Sequence, residues 1–152
     1  MMSRLCLALA VGAIIGLDRE LRHKSAGLRT HMLVSLGSAI FVLISLQVGA
    51  GNTYQNELSR VIQGITAGVG FLGGGVILRE AQHDATSAEV RGLTSAAAIW
   101  VAAALGIAAG CGLWQLSISS AVLSWLVLSL FKRLEKYERS KIKSQKSKNS
   151  IE

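Results

Sequence analysis

The chain has 152 residues, 16 Lys+Arg against 9 Asp+Glu for a formal charge of +7, 51% apolar and only 16% charged residues, 16 glycines and no proline. A soluble domain of this size carries roughly 25% charged residues, a disordered chain lacks such apolar content, and two cysteines do not build a disulfide scaffold. The charges sit in short stretches between long uncharged runs, which is the layout of a polytopic membrane protein.

A spanning helix needs about 20 apolar residues. The first run, Leu5 to Leu17, is 13 residues long. It reaches spanning length by taking in Met1 to Arg4, with Arg4 snorkelling to the headgroups. A cleaved signal peptide is the alternative, but Ala8-Leu9-Ala10, its one Ala-x-Ala match, lies inside the apolar stretch. Ala8, Gly12 and Gly16 form a row of small residues at spacing four, and the run ends in Leu17-Asp18-Arg19-Glu20.

The second run, His31 to Gln47, follows Gly27-Leu28-Arg29-Thr30, and Thr30 is its expected N-cap. The third, Val61 to Leu78, carries Gly64 and Gly68, then Gly70 and Gly74, and reads Gly70-Phe71-Leu72-Gly73-Gly74-Gly75 near its end. Three consecutive glycines predict either a helix break or a face packed closely against the fourth run. The fourth, Leu93 to Ala109, follows Val90-Arg91-Gly92, with Thr94 as expected N-cap and Ala102, Gly106 and Gly110 in a row. The fifth is Leu113 to Phe131. In lipid every backbone group must be bonded within its own segment, so runs of this length are helices. None alternates as a barrel strand would. The expected fold is therefore all-α: a helical bundle of five transmembrane helices over residues 1–131, followed by a basic cytoplasmic tail, 132–152, that is partly disordered. Small-residue rows let helices approach closely, within one bundle or in a homo-oligomer.

Orientation follows from the basic residues. Arg19, Arg22, Lys24 and Arg29 follow the first run, Arg79 and Arg91 follow the third, and eight more lie in the tail. These regions share one side, and the other side has only Arg4 and Arg60. The expected topology puts the N-terminus outside and the C-terminus in the cytoplasm.

The polar motifs collect on the cytoplasmic side. Two helix N-termini, each with an arginine beside it, make natural anion sites. Asp18 or Glu20 could instead fill these sites by pairing with Arg29 or Arg91. The ion- or partner-binding candidates are thus Asp18, Glu20, Arg29, Thr30, Arg91 and Thr94. Asp18 and Glu20 are weak candidates for Mg²⁺, which prefers one or two carboxylates and keeps its waters. No charge lies at mid-bilayer depth, where transport pathways usually show one. The three histidines lie in or beside loops, at no metal-ligand spacing, and are expected to be solvated or at headgroup level. No nucleophile or metal cluster points to catalysis, and no cofactor is implied beyond Mg²⁺. Cys6 and Cys111 fall toward the outer side, as two buried thiols or a pair. The tail favours an anionic leaflet, and without an aromatic platform or folded reader it gives no nucleic-acid partner.

Four ordered motifs resemble the MgtC/SapB family of bacterial membrane proteins. They are Gly12 to Glu20, Ala26 to Val34, Gly64 to Arg79 around Gly70-Phe71-Leu72-Gly73-Gly74-Gly75, and Val90 to Ala97. Asp18 stands where the family typically has Glu, and Gly74 where it has Ala. The resemblance implies a multi-pass protein of the bacterial inner membrane, tied to low-Mg²⁺ adaptation and ion homeostasis. It acts either by modulating other membrane proteins or as a component of an ion transporter, with the glycine-rich third helix as a gate. Many members continue into a soluble ACT-like domain, and this chain reads as the short form.

Overall fold

The computed structural model describes residues 1–48, 54–83 and 92–129. Those residues form α1 (Met2–Leu21), α2 (Leu28–Val48), α3 (Tyr54–His83) and α4 (Leu93–Cys111), then α5 (Trp114–Ser129). No strand occurs among them. The fold is the expected all-helical bundle. Leu28–Val48, Gln55–Glu80 and Leu93–Cys111 are each long and apolar enough to cross a membrane. α1 instead carries Arg4, Asp18, Arg19 and Glu20 within its length, and the fifth run is described only as far as Ser129. The tail and Arg91 lie outside the described residues.

Consecutive helices run antiparallel, so the bundle has two ends. At one end, called the Glu20 end, α1 and α3 finish and α2 and α4 begin. At the other, the Arg4 end, α1 starts and α4 finishes.

α2 is held between α1 and α4 by the two small-residue rows. A Cβ on Gly12 would lie 2.8 Å from the His31 carbonyl oxygen, and one on Gly16 would lie 2.7 Å from Leu28 Cα. On the opposite side a Cβ on Gly106 would strike the Ser35 backbone, and one on Gly110 would lie 3.0 Å from the Ala39 carbonyl oxygen. Glycine is therefore required at these crossings by backbone approach, the arrangement that drives association in lipid. Ser35 Oγ adds a hydrogen bond to the Ala8 carbonyl at 2.7 Å. α5 joins through Ser117 Oγ, which donates to the Leu105 carbonyl at 3.1 Å. Ala121 packs with Val11, Ile15, Ala98 and Leu105.

α4 ends in a left-handed Gly112 (φ 83°). The Gly112 and Leu113 amides donate back to the Ala109 and Ala108 carbonyls at 3.0 and 2.9 Å, closing a Schellman turn. Arg4 Nη1 donates to the Gly110 carbonyl at 3.0 Å. Rather than snorkelling freely, Arg4 thus satisfies an orphan acceptor of α4.

α3 differs from the expectation in two ways. Residues 70–75 continue one unbroken 30-residue helix. Among the described residues only Gly73 of its glycines meets a neighbour, with a Cβ 3.3 Å from Ala96 Cβ, whereas Gly64, Gly68, Gly70, Gly74 and Gly75 have nothing within 4 Å. The expected packing of the glycine triplet against α4 thus holds at Gly73. The other rows face open space because α3 touches the bundle along Ile65, Val69, Gly73 and Val76.

Candidate functional site

The polar residues of the Glu20 end form the candidate site, and α1 places most of them. Asp18 and Arg19 end the apolar part of α1 on the face that packs inward, and are only 7% and 3% exposed. Buried charges need partners. Asp18 Oδ1 takes its bonds from Arg22, with Nε and Nη2 both at 2.7 Å, and from Ser129 Oγ at 3.2 Å. Arg22 Nη2 also reaches Ser129 Oγ at 3.3 Å. This cluster ties the end of α5 to α1. Asp18 therefore pairs with Arg22, one helical turn away, and not with Arg29; the expected alternative partner Arg91 lies outside the described residues. The i,i+4 partner lies on the same helix face, whereas Arg29 projects into solvent.

Arg19 crosses the other way. Its Nη2 donates to Ser95 Oγ at 2.9 Å, fixing α1 to the first turn of α4. Ser95 is buried, whereas Thr94 is exposed. The N-cap of α4 is Gly92 (φ 90°), with no side-chain capping bond. Thr94 is thus not the expected cap, because the left-handed glycine places the helix start before it.

Thr30 is not a cap either, since α2 begins at Leu28. The cap is Glu20, whose Oε2 accepts from the Leu28 amide at 3.0 Å. A carboxylate at a helix N-terminus is favoured by the free amides and by the helix dipole. Gly27 is required beside it, because a Cβ there would strike the Glu20 carboxylate. A groove of about 610 Å³ opens next to this cap, lined by Glu20, Gly27, Leu28, Arg29 and Thr30.

His31, expected to be solvated or at headgroup level, is not solvated but fully buried within the protein. Its Nδ1 lies 2.8 Å from the Gly27 carbonyl. A carbonyl only accepts, so Nδ1 donates and Nε2 keeps a bare lone pair. Among the described residues, His31 Nε2, Asp18 Oδ2 and Arg19 Nε are buried without a hydrogen-bond partner. Among the described residues no three His, Cys, Asp or Glu side chains gather as a metal site. Cys6 and Cys111 are free thiols, Cys6 exposed and Cys111 half-buried, so the described structure holds no disulfide between them.

The structure therefore brings Asp18 and Glu20 to one end but engages them separately. The sequence reasoning missed Arg19, Arg22, Ser95 and Ser129. One signal was available: the chain writes Arg-Glu-x-x-His twice, as Arg19-Glu20-Leu21-Arg22-His23 and Arg79-Glu80-Ala81-Gln82-His83, and each precedes a Gly-Leu pair that opens a helix. A Cβ on Gly92 would lie 3.2 Å from Glu80 Oε2, so both turns set a glutamate of the preceding helix against a glycine.

The MgtC family model matches residues 5–137. This chain belongs to the MgtC family. It is 49% identical over 137 residues to protein SrpB of Synechococcus elongatus, covering 88% of this chain and 75% of SrpB. It is 40% identical over 135 residues to the putative magnesium transporter YhiD of Escherichia coli, covering 86% of this chain and 60% of YhiD. It is 37% identical over 119 residues to protein MgtC of Salmonella typhimurium, covering 78% of this chain and 47% of MgtC. The chain thus spans about half to three-quarters of the length of these relatives. No solved structure matches it. Family membership and the apolar helices make it a membrane protein.

Proposed function

We propose that this MgtC-family chain is a multi-pass protein of the bacterial inner membrane that serves ion homeostasis by modulating other membrane proteins. The proposed topology places the Glu20 end in the cytoplasm, where 14 of the 16 basic residues then lie. The observation that carries the modulator reading is the engagement of both carboxylates. Asp18 Oδ1 is held by Arg22 and Ser129, and Glu20 by the Leu28 amide. A carboxylate committed to an arginine is a poor Mg²⁺ ligand, because the guanidinium repels the second cation. The Glu20 end therefore acts as a clasp that fixes helix geometry. Its exposed rim, Glu20, Arg29 and Thr94, is the surface offered to a partner. The bilayer is the other partner, as the outward Phe41, Phe71 and Trp114 require.

A second reading rests on Asp18 Oδ2, which is buried and has no partner among the described residues. One free carboxylate oxygen at the end of a bundle suits a transport component using Asp18 as a cation ligand, as the printed name of YhiD suggests for that relative.

Reconstitution in liposomes separates the two. The modulator reading expects no Mg²⁺ flux above empty vesicles, and recovery of a membrane-protein partner with the intact chain. Mg²⁺ flux that Asp18→Asn abolishes in a folded protein would instead establish the carrier. Labelling Cys6 from the cytoplasmic side alone would invert the topology.

A further inference from the structure

The attachment of α3 is uneven along its length. Near the Glu20 end it is close: Gly73 lies against Ala96, and a Cβ on Gly92 would come within 3.3 Å of Ile77 Cα and 3.2 Å of Glu80 Oε2. Toward the Arg4 end α3 meets the bundle along the single line of Ile65 and Val69, which pack with Ile99 and Ala103, and on either side of that line lie two grooves. One, of about 630 Å³, separates it from α2 and is walled by Leu33, Gly37 and Phe41 on one side and Val61, Gly64 and Gly68 on the other. The second, of about 230 Å³, separates it from α4 at Ile62, Thr66, Trp100 and Ile107. Gly37, Gly64 and Gly68 each have open space where a Cβ would sit. The two walls of the larger groove thus carry matching small residues that do not meet.

Between the closely packed part and the part held along that one line lie Gly73, Gly74 and Gly75. In a chain without proline, glycine is the residue that lets a helix bend. From Gly75 to Tyr54 the helix is about 30 Å long at 1.5 Å per residue, so a bend of roughly 10° at the triplet moves the far end by about 5 Å.

We infer that α3 is a hinged wall: it bends at Gly73–Gly75 and closes on α2, bringing Gly64 and Gly68 against Gly37. The matched glycines give the closed state the backbone approach that Gly12, Gly16 and Gly106 already give α2 elsewhere. Small residues on facing helices favour such contact in lipid. The hinge goes beyond the proposed function and stands whether the protein modulates a partner or carries an ion.

The test uses the full chain in membranes with Cys6→Ser and Cys111→Ser. Gly37→Cys is combined with Gly64→Cys or with Gly68→Cys and treated with a mild oxidant. Gly73→Cys with Ala96→Cys is the control, because those positions already touch. At least one groove pair is expected to cross-link. Gly75→Ala, which stiffens the hinge without a steric clash, is expected to slow that cross-link about five-fold. A control pair that links while both groove pairs fail would overturn the hinge. Spin labels at Ile44→Cys and Arg60→Cys give a readout independent of disulfide chemistry. Two distance populations several ångströms apart are expected, merging toward one in the Gly75→Ala background. One population in both proteins would overturn the inference.

Discussion

α2 and α3 are both long apolar helices, yet the bundle treats them differently. α2 is gripped on two sides: α1 meets it through Gly12 and Gly16, α4 through Gly106 and Gly110, and Ser35 bonds across to Ala8. α3 carries more glycines than either of those partners, yet only Gly73 is in close contact. A spacing of four between small residues therefore does not by itself identify an interface. What decides is whether a backbone lies opposite. Where one does, the glycine is irreplaceable. Where none does, it leaves the helix thin and free to bend.

The largest effect that could break this comparison is expected from Gly106→Leu. Its side chain would run into the Ser35 backbone, and overpacking at a backbone contact costs about 3 kcal/mol or more. Thermal unfolding in detergent should show a large drop or loss of folded protein.

Next comes Asp18→Ala, which leaves Arg22 and Ser129 without their shared acceptor in a partly buried cluster. Arg22 keeps some solvent, so the expected cost is about 2 kcal/mol. A cost near zero would show that the clasp does not hold α5 to α1.

Glu20→Ala removes an exposed cap and should cost about 1 kcal/mol. Glu20→Gln retains an acceptor for the Leu28 amide and should recover much of the loss in the same unfolding assay.

The smallest effect is expected from Gly64→Leu, within about 0.5 kcal/mol of the parent, because its side chain enters open space. Equal losses from Gly64→Leu and Gly106→Leu would remove the distinction between the two helices.

Much of the fold was legible in the sequence. The apolar runs located all five helices, and the rows on α1 and α4 were correctly read as packing surfaces. The helix ends were less legible. Thr30 and Thr94 have the chemistry of caps, but the starts are set by Gly27 and Gly92, with Glu20 supplying the acceptor for α2. A local rule favoured threonine, and a residue from the preceding helix took the position. His31 was misplaced for a related reason. It follows a polar stretch, but the close approach at Gly12 and Gly16 draws the first turns of α2 under α1 and covers the ring. Asp18 was found but its partner was not, since charge alone did not rank Arg22 above Arg29. Arg19 was passed over because a charged neighbour of a loop reads as solvated until its inward-facing position on α1 is known.

The contrast between the two helices is tested most directly by amide hydrogen exchange on the intact protein in lipid nanodiscs. Local stability follows packing. Amides of residues 58–70 in α3 should exchange at least about ten-fold faster than those of 34–45 in α2. Equal protection of the two segments would contradict the account, because it would make α3 as firmly held as the helix gripped on both sides.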